Sequence, residues 1–123
     1  MKTIRLLVVD DNAPFREALR FFFDEQPGIE LVGTVAQATK CLTYVKKHPV
    51  DVVILDARMP GTDSLEITQQ LKAKYKRVKV VMCTIWDDRG LKNYAKRAGA
   101  DEYFVKGEPL AVLLKKIRRF FPR

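Results

Sequence analysis

The stretch "LLVVDDNAPF", residues 6–15, turns from wholly apolar to doubly acidic within one step. Leu6 to Val9 are apolar on consecutive positions, the mark of a strand buried on both faces and not of an amphipathic one. Two adjacent carboxylates follow, Asp10 and Asp11, and then Asn12 with Pro14 two residues on, a capping residue and an opening-turn proline for a helix. A buried strand that runs through polar residues straight into a helix is one βα unit.

The same pattern recurs along the chain. "IRLLVVD" (4–10) and "DVVILD" (51–56) are the strongest strand runs, and "ELVGTV" (30–35), "VKVVMCT" (78–84) and "DEYFVK" (101–106) are weaker versions. A first helix carries Phe15, Leu19 and Phe22 on one face and ends before Pro27-Gly28. A second covers 36–47, and a third follows "MPGTD", capped by Thr62 or Asp63, with Leu65, Thr68 and Leu71 inward. A fourth spans 87–98 and a fifth runs from Glu108 or Pro109 to Phe121. Five βα units joined by right-handed crossovers give an α/β fold, a parallel sheet covered on both faces.

At 123 residues the chain has the size of one domain, and no repeat, linker or low-complexity segment divides it. An apolar fraction of 47% with 31% charged residues excludes a disordered chain. No apolar run reaches the ~18 residues of a membrane span, and the N-terminus reads as a strand and not as a signal peptide, so the expected location is cytoplasmic. Cys41 and Cys83 have no metal spacing and read as reduced thiols. The net charge of +8 favours acidic partners without choosing among them. The basic segments "KAKYKRVK" (72–79), "KRAG" (96–99) and "KKIRRFFPR" (115–123) lie at helix C-termini, where cations complement the dipole. With no recognition helix among them, direct nucleic-acid binding is not expected of this domain alone.

Ligands of an open parallel sheet bind beyond the carboxyl ends of its strands. Those ends are Asp10-Asp11, Asp56, Thr84 and Lys106. Three clustered carboxylates repel one another, and a hard divalent cation such as Mg²⁺, which takes oxygen ligands, relieves the conflict. Lys106 adds a second positive charge and Thr84 a donor. Together they suit a transferred phosphoryl group, with Asp56 as a nucleophile that needs no general base.

These residues resemble the receiver domain of two-component response regulators. "VVDDN" (8–12), "DVVILDARMPGTD" (51–63), "MCT" (82–84) and "GADEYFVKG" (99–107) stand in the family's order and spacing across the whole chain. The resemblance implies the strand order 2-1-3-4-5 and Mg²⁺ ligation by Asp11, Asp56 and the Arg58 carbonyl, with Asp10 acting through water. Thr84 and Lys106 would contact the phosphoryl group, and Tyr103 would be an aromatic switch. The implied reaction is transfer from a phosphohistidine on a sensor histidine kinase or phosphotransfer protein to Asp56, followed by slow hydrolysis. The chain would then catalyse only its own phosphorylation and dephosphorylation, and its changed surface would meet a downstream effector or a second copy of the domain.

Some features depart from the commonest pattern. Gly107, not proline, follows Lys106, and Arg58 with "VKGEPL" (105–110) resembles receivers joined to LuxR-type DNA-binding domains. No such domain follows, so residues 1–123 read as a single receiver, natural or cut from a longer regulator. The residue after Thr84 is the bulky Ile85, with Trp86 next. Ile85 either narrows access to the site or points away onto the fourth helix. Of Phe21, Phe22 and Phe23, one helix face can bury only one or two. Two other readings remain: a degenerate receiver that docks without phosphorylation, against which the intact site argues, and an aspartyl-nucleophile phosphatase of the haloacid dehalogenase type. The latter wants a DxD after its first strand, where this chain has adjacent acids.

Overall fold

Strands β1 (Ile4–Val9), β3 (Val52–Asp56) and β4 (Lys79–Thr84) form the middle of a parallel sheet in the computed structural model, which describes residues 3–61 and 63–122. β2 (Ile29–Val35) and β5 (Glu102–Val105) are its edges, giving the order β2-β1-β3-β4-β5. The consecutive apolar residues of β1 are divided between two cores. Leu6 and Val8 face α1 (Ala13–Asp24) and α5 (Leu110–Arg119). Leu7 and Val9 face α2 (Thr39–Lys47), α3 (Ser64–Lys74) and α4 (Arg89–Ala98). β3 is buried throughout, as its unbroken apolar run requires.

Capping chemistry sets the helix starts. The Asn12 side chain accepts from the Phe15 N–H at 2.9 Å, and Asp63 and Asp88 cap α3 and α4 in the same way. Thr62, the other cap considered for α3, lies outside the described residues. α2 begins at Thr39 and not at 36, because Ala36-Gln37-Ala38 offers no capping side chain and forms a turn instead. α4 begins at Arg89, two residues later than expected, and α5 at Leu110.

Two core assignments change. Phe23, not Phe22, is the buried phenylalanine of α1, while Phe22 is half-buried and Phe21 is 69% exposed. α3 buries Ser64, Ile67, Thr68 and Leu71, leaving Leu65 half-buried. Cys41 and Cys83 are buried and unpaired with each other, and burial pushes the Cys41 thiol up to about 12. At the β2 edge the pairing with β1 slips past Val32. There the Tyr44 hydroxyl donates to the Val32 carbonyl at 2.8 Å and lies over Gly33, where an added Cβ would stand 2.6 Å from it. Any other residue at position 33 would have to displace Tyr44.

Candidate functional site

The parallel sheet brings five expected residues to one edge. β1 ends at Val9, so Asp10 and Asp11 open the loop into α1, whereas Asp56 and Thr84 are the last residues of β3 and β4. Lys106 follows β5 directly, and its N–H donates to the Thr84 carbonyl at 2.7 Å. Asp10 is almost fully buried and tightly held. Its Oδ1 accepts from the Asn12 N–H at 2.8 Å, and its carbonyl accepts from the Arg16 guanidinium at 2.7 Å.

One carboxylate oxygen each from Asp10, Asp11 and Asp56 lies within 4.8 Å of the others. Lys106 Nζ stands 2.7 Å from Asp10 Oδ2 and 3.7 Å from Asp56 Oδ2. It also lies 4.4 Å from the Phe15 ring centroid, a cation–π contact that limits where the ammonium can go. Although the ammonium is so near, Asp10 Oδ2 is buried with no donor aligned on it. The contact between them is an ion pair, held by charge more than by bond direction.

Asp56 Oδ1 accepts from the Arg58 N–H at 3.1 Å, and the Asp56 carbonyl accepts from the buried Ser64 hydroxyl at 2.6 Å. Burial pushes the Asp56 carboxyl up to about 6, and the charges of Asp10 and Asp11 push the same way. The Arg58 N–H and the Lys106 charge oppose them.

This donor set fits a hard divalent cation. Three carboxylates converge, Asp10 among them is buried, and the one lysine beside them does not neutralise three acids. Asp11, exposed at the rim, is free to reach such an ion.

Thr84 and Tyr103 are joined through Trp86. Thr84 Oγ1 accepts from the Trp86 N–H at 3.2 Å, and the Tyr103 hydroxyl donates to the Trp86 carbonyl at 3.0 Å. Tyr103 is turned inward, 9% exposed, and desolvation raises its phenol, partly offset by the Thr84 hydroxyl and Lys92. Trp86 is half exposed, with the Arg58 guanidinium 5.7 Å from its ring centroid. Ile85 is 65% exposed, which leaves little of it packed on α4.

Three supporting residues were not anticipated: Ser64 behind Asp56, Arg16 behind Asp10, and Phe15 beside Lys106. Asp56, Ser64 and Thr68 form one polar chain, in which the Thr68 hydroxyl donates to the Ser64 carbonyl at 2.9 Å. A serine at the first position of a capped helix was the available signal. Nothing in the sequence marked Arg16.

A sheet in this order, with acids, a hydroxyl and a lysine at its carboxyl edge, defines the receiver class of signalling domain. The chain belongs to the response regulator receiver domain family, whose pattern it matches over residues 6–118. It is 31% identical to the response regulator GacA of Pseudomonas aeruginosa over 96% of this chain and 55% of that one. It is 30% identical to the response regulator UvrY of Escherichia coli, over 96% of this chain and 54% of that one. The chain thus spans about half the length of these curated relatives.

Among solved structures, the signal receiver domain of NarL from Mycobacterium tuberculosis superimposes with a TM-score of 0.90 at 24% identity, over 97% of this chain and 96% of that one. TrrA of Thermotoga maritima, solved in complex with Mg²⁺ and beryllium fluoride, is 31% identical with a TM-score of 0.81, over 98% and 99% of the two chains. The chain is therefore a receiver domain of two-component signalling. No helix among the described residues is long and apolar enough to cross a membrane.

Proposed function

We propose that Asp56 accepts a phosphoryl group in an Mg²⁺-dependent reaction, from a phosphohistidine on a sensor histidine kinase or phosphotransfer protein. The reading rests on one observation above the others: three carboxylates meet within 4.8 Å, and the one lysine among them leaves the group net negative. When bound by Asp11, Asp56 and the Arg58 carbonyl, with Asp10 acting through water, Mg²⁺ supplies positive charge against the incoming phosphoryl oxygens.

Asp56 Oδ2 attacks phosphorus and the phosphorus–nitrogen bond of the donor breaks, its electron pair returning to the imidazole. Lys106 meets the negative charge gathering on the phosphoryl oxygens, and the Thr84 hydroxyl donates to one of them. To do so Thr84 must turn, and the bonds that join Trp86 to Thr84 and to Tyr103 carry the change towards β5. Water later attacks phosphorus, cleaves the bond to Asp56 and releases phosphate.

Residues 1–123 act as a single receiver unit in the cytoplasm. They turn over only their own phosphoryl group and present the α4–β5–α5 face to an effector of the LuxR-type transcription-regulator kind or to a second copy.

The test is intact mass after incubation with Mg²⁺ and acetyl phosphate. Wild type should gain about 80 Da, the mass of one phosphoryl group replacing a proton, if Asp56 is the nucleophile. The gain should disappear with chelator and in Asp56→Asn. An adduct of equal yield in Asp56→Asn defeats the assignment, and no adduct in wild type points to a docking module.

A further inference from the structure

At the edge of the sheet opposite the pocket, the part formed by α2, α3 and α4 is rich in cations, whereas the end of α1 carries Asp24 and Glu25. Because every strand is parallel, α2, α3 and α4 all end at the edge where the strands begin. Three separate segments meet there: "KKHPVD" (46–51), "KAKYKRVK" (72–79) and "KRAGAD" (96–101). They hold nine Lys and Arg against two acids. Both acids are engaged within the fold. Asp51 accepts from the backbone N–H and guanidinium of Arg5, at 2.8 and 3.2 Å. Asp101 accepts from the Lys72 ammonium and the Val80 N–H, each at 2.8 Å.

Seven of the nine cations are exposed, and none of those seven has an ion-pair partner among the described residues.

The three segments are contiguous. α3 packs against both α2 and α4. Lys46 and Lys74 line one groove of about 520 Å³ between α2 and α3. The Lys72 stem lies against Gly99, and its ammonium bonds Asp101, which ties the end of α3 to the turn after α4. Complementing helix dipoles accounts for the lysines of the last turns. It does not account for Lys76, Arg77 and Lys79, which lie beyond the end of α3. Three neighbouring helices at the usual ~10 Å spacing span about 20 Å, the rise of roughly six base pairs.

We propose that this edge, formed by the ends of α2, α3 and α4 and the turns that follow them, binds the phosphate backbone of duplex nucleic acid without reading its sequence. An anionic membrane would be the other polyanion to consider. A membrane-surface element adds apolar side chains that enter the interface. The large exposed apolar residues, Phe21, Ile85, Trp86 and Tyr94, all lie outside the three segments. Charge without an apolar wedge is the character of backbone contact.

The test is fluorescence anisotropy of the whole 123-residue chain with a labelled 20-base-pair duplex of arbitrary sequence, between 50 and 200 mM salt. Binding should fall with salt at a logarithmic slope of about −3 or steeper. Lys76→Gln/Arg77→Gln/Arg97→Gln should weaken binding at least about tenfold at the lowest salt and flatten the slope by roughly 2 to 3.

Arg20→Gln/Lys40→Gln/Lys115→Gln removes the same charge from exposed positions elsewhere and should stay within about threefold of wild type. Circular dichroism checks that both variants are folded. Three results overturn the proposal: equal loss in the two variants, no binding by wild type at 50 mM salt, or binding to phosphatidylserine vesicles with none to the duplex.

Discussion

The two edges of this sheet carry opposite charge and work at different scales. At the carboxyl edge three acids meet within 4.8 Å, and the lysine among them touches two. At the amino edge nine cations are spread over three segments, and among the described residues only Lys72 of the nine is held in an ion pair. One topology produces both, since parallel strands place every loop of one kind on the same side. The compact acidic group strains the fold, and a bound cation would relieve it. The spread basic group strains it little, because exposed charges far apart are screened by water and salt. A site that does chemistry has to concentrate charge, whereas a surface that meets a long polyanion can distribute it.

The sharpest way to break this contrast is to ask whether neighbouring acids at the carboxyl edge are interchangeable. Asp10 is buried and already faces Lys106, whereas Asp11 is exposed at the rim. Titrating Mg²⁺ while following the fluorescence of Trp86, we expect Asp11→Ala to weaken binding about tenfold more than Asp10→Ala, the effect of removing a direct ligand and not an indirect one. Equal losses would mean that only total charge matters, as proposed for the other edge.

Strain is the next measure. In chelated protein the Asp56 carboxyl sits at about 6, above its unfolded value of 3.8, because burial and two neighbouring carboxylates oppose its charge. The folded state then binds the proton more tightly than the unfolded state, so stability falls as pH rises from about 4 through 6. Fully developed, such a shift would cost about 3 kcal/mol, which solvent at the mouth of the pocket reduces. Asp56→Asn should therefore stabilise the chelated protein by about 1–2 kcal/mol at pH 7 in urea unfolding, and by nothing near pH 3.5. A gain that persists at pH 3.5 would have another origin. Lys76→Gln, on the basic edge, should shift stability by less than about 0.5 kcal/mol at either pH.

The two edges were also unequally legible. Asp10, Asp11, Asp56, Thr84 and Lys106 each end a short apolar run, so a pattern local to a few residues announced both the strand and the side chain at its end. The supporting residues were not local in that sense. Arg16 reaches back from α1 to the Asp10 carbonyl, and Phe15 meets Lys106 from the far end of the chain. Only packing shows those contacts. Phe22 and Phe23 differ by about 100° around the helix, and the position of the neighbouring strand decided which is buried. The start of α2 was obscure because its first residues lack a cap. The basic edge was visible only in fragments, each of which resembled an ordinary helix end until the topology joined them.

Ile85 gives the smallest expected effect. At 65% exposure it forms no part of either core, so its bulk beside Thr84 is not needed to hold the fold. Its neighbour Trp86 is fixed on both sides, by N–H donation to Thr84 and by acceptance from Tyr103, so the backbone that carries Ile85 is held at the mouth of the pocket. In the proposed reaction, water would reach the phosphoryl group past that backbone. Ile85→Ala should therefore shorten the half-life of phosphorylated protein by about two- to fivefold, roughly 0.4–1 kcal/mol in the barrier, followed by phosphate release after the donor is removed. Arg97→Gln, also exposed but at the other edge, should leave the half-life unchanged. If both substitutions change it alike, the lifetime is set by the chain as a whole and not by access at this one position.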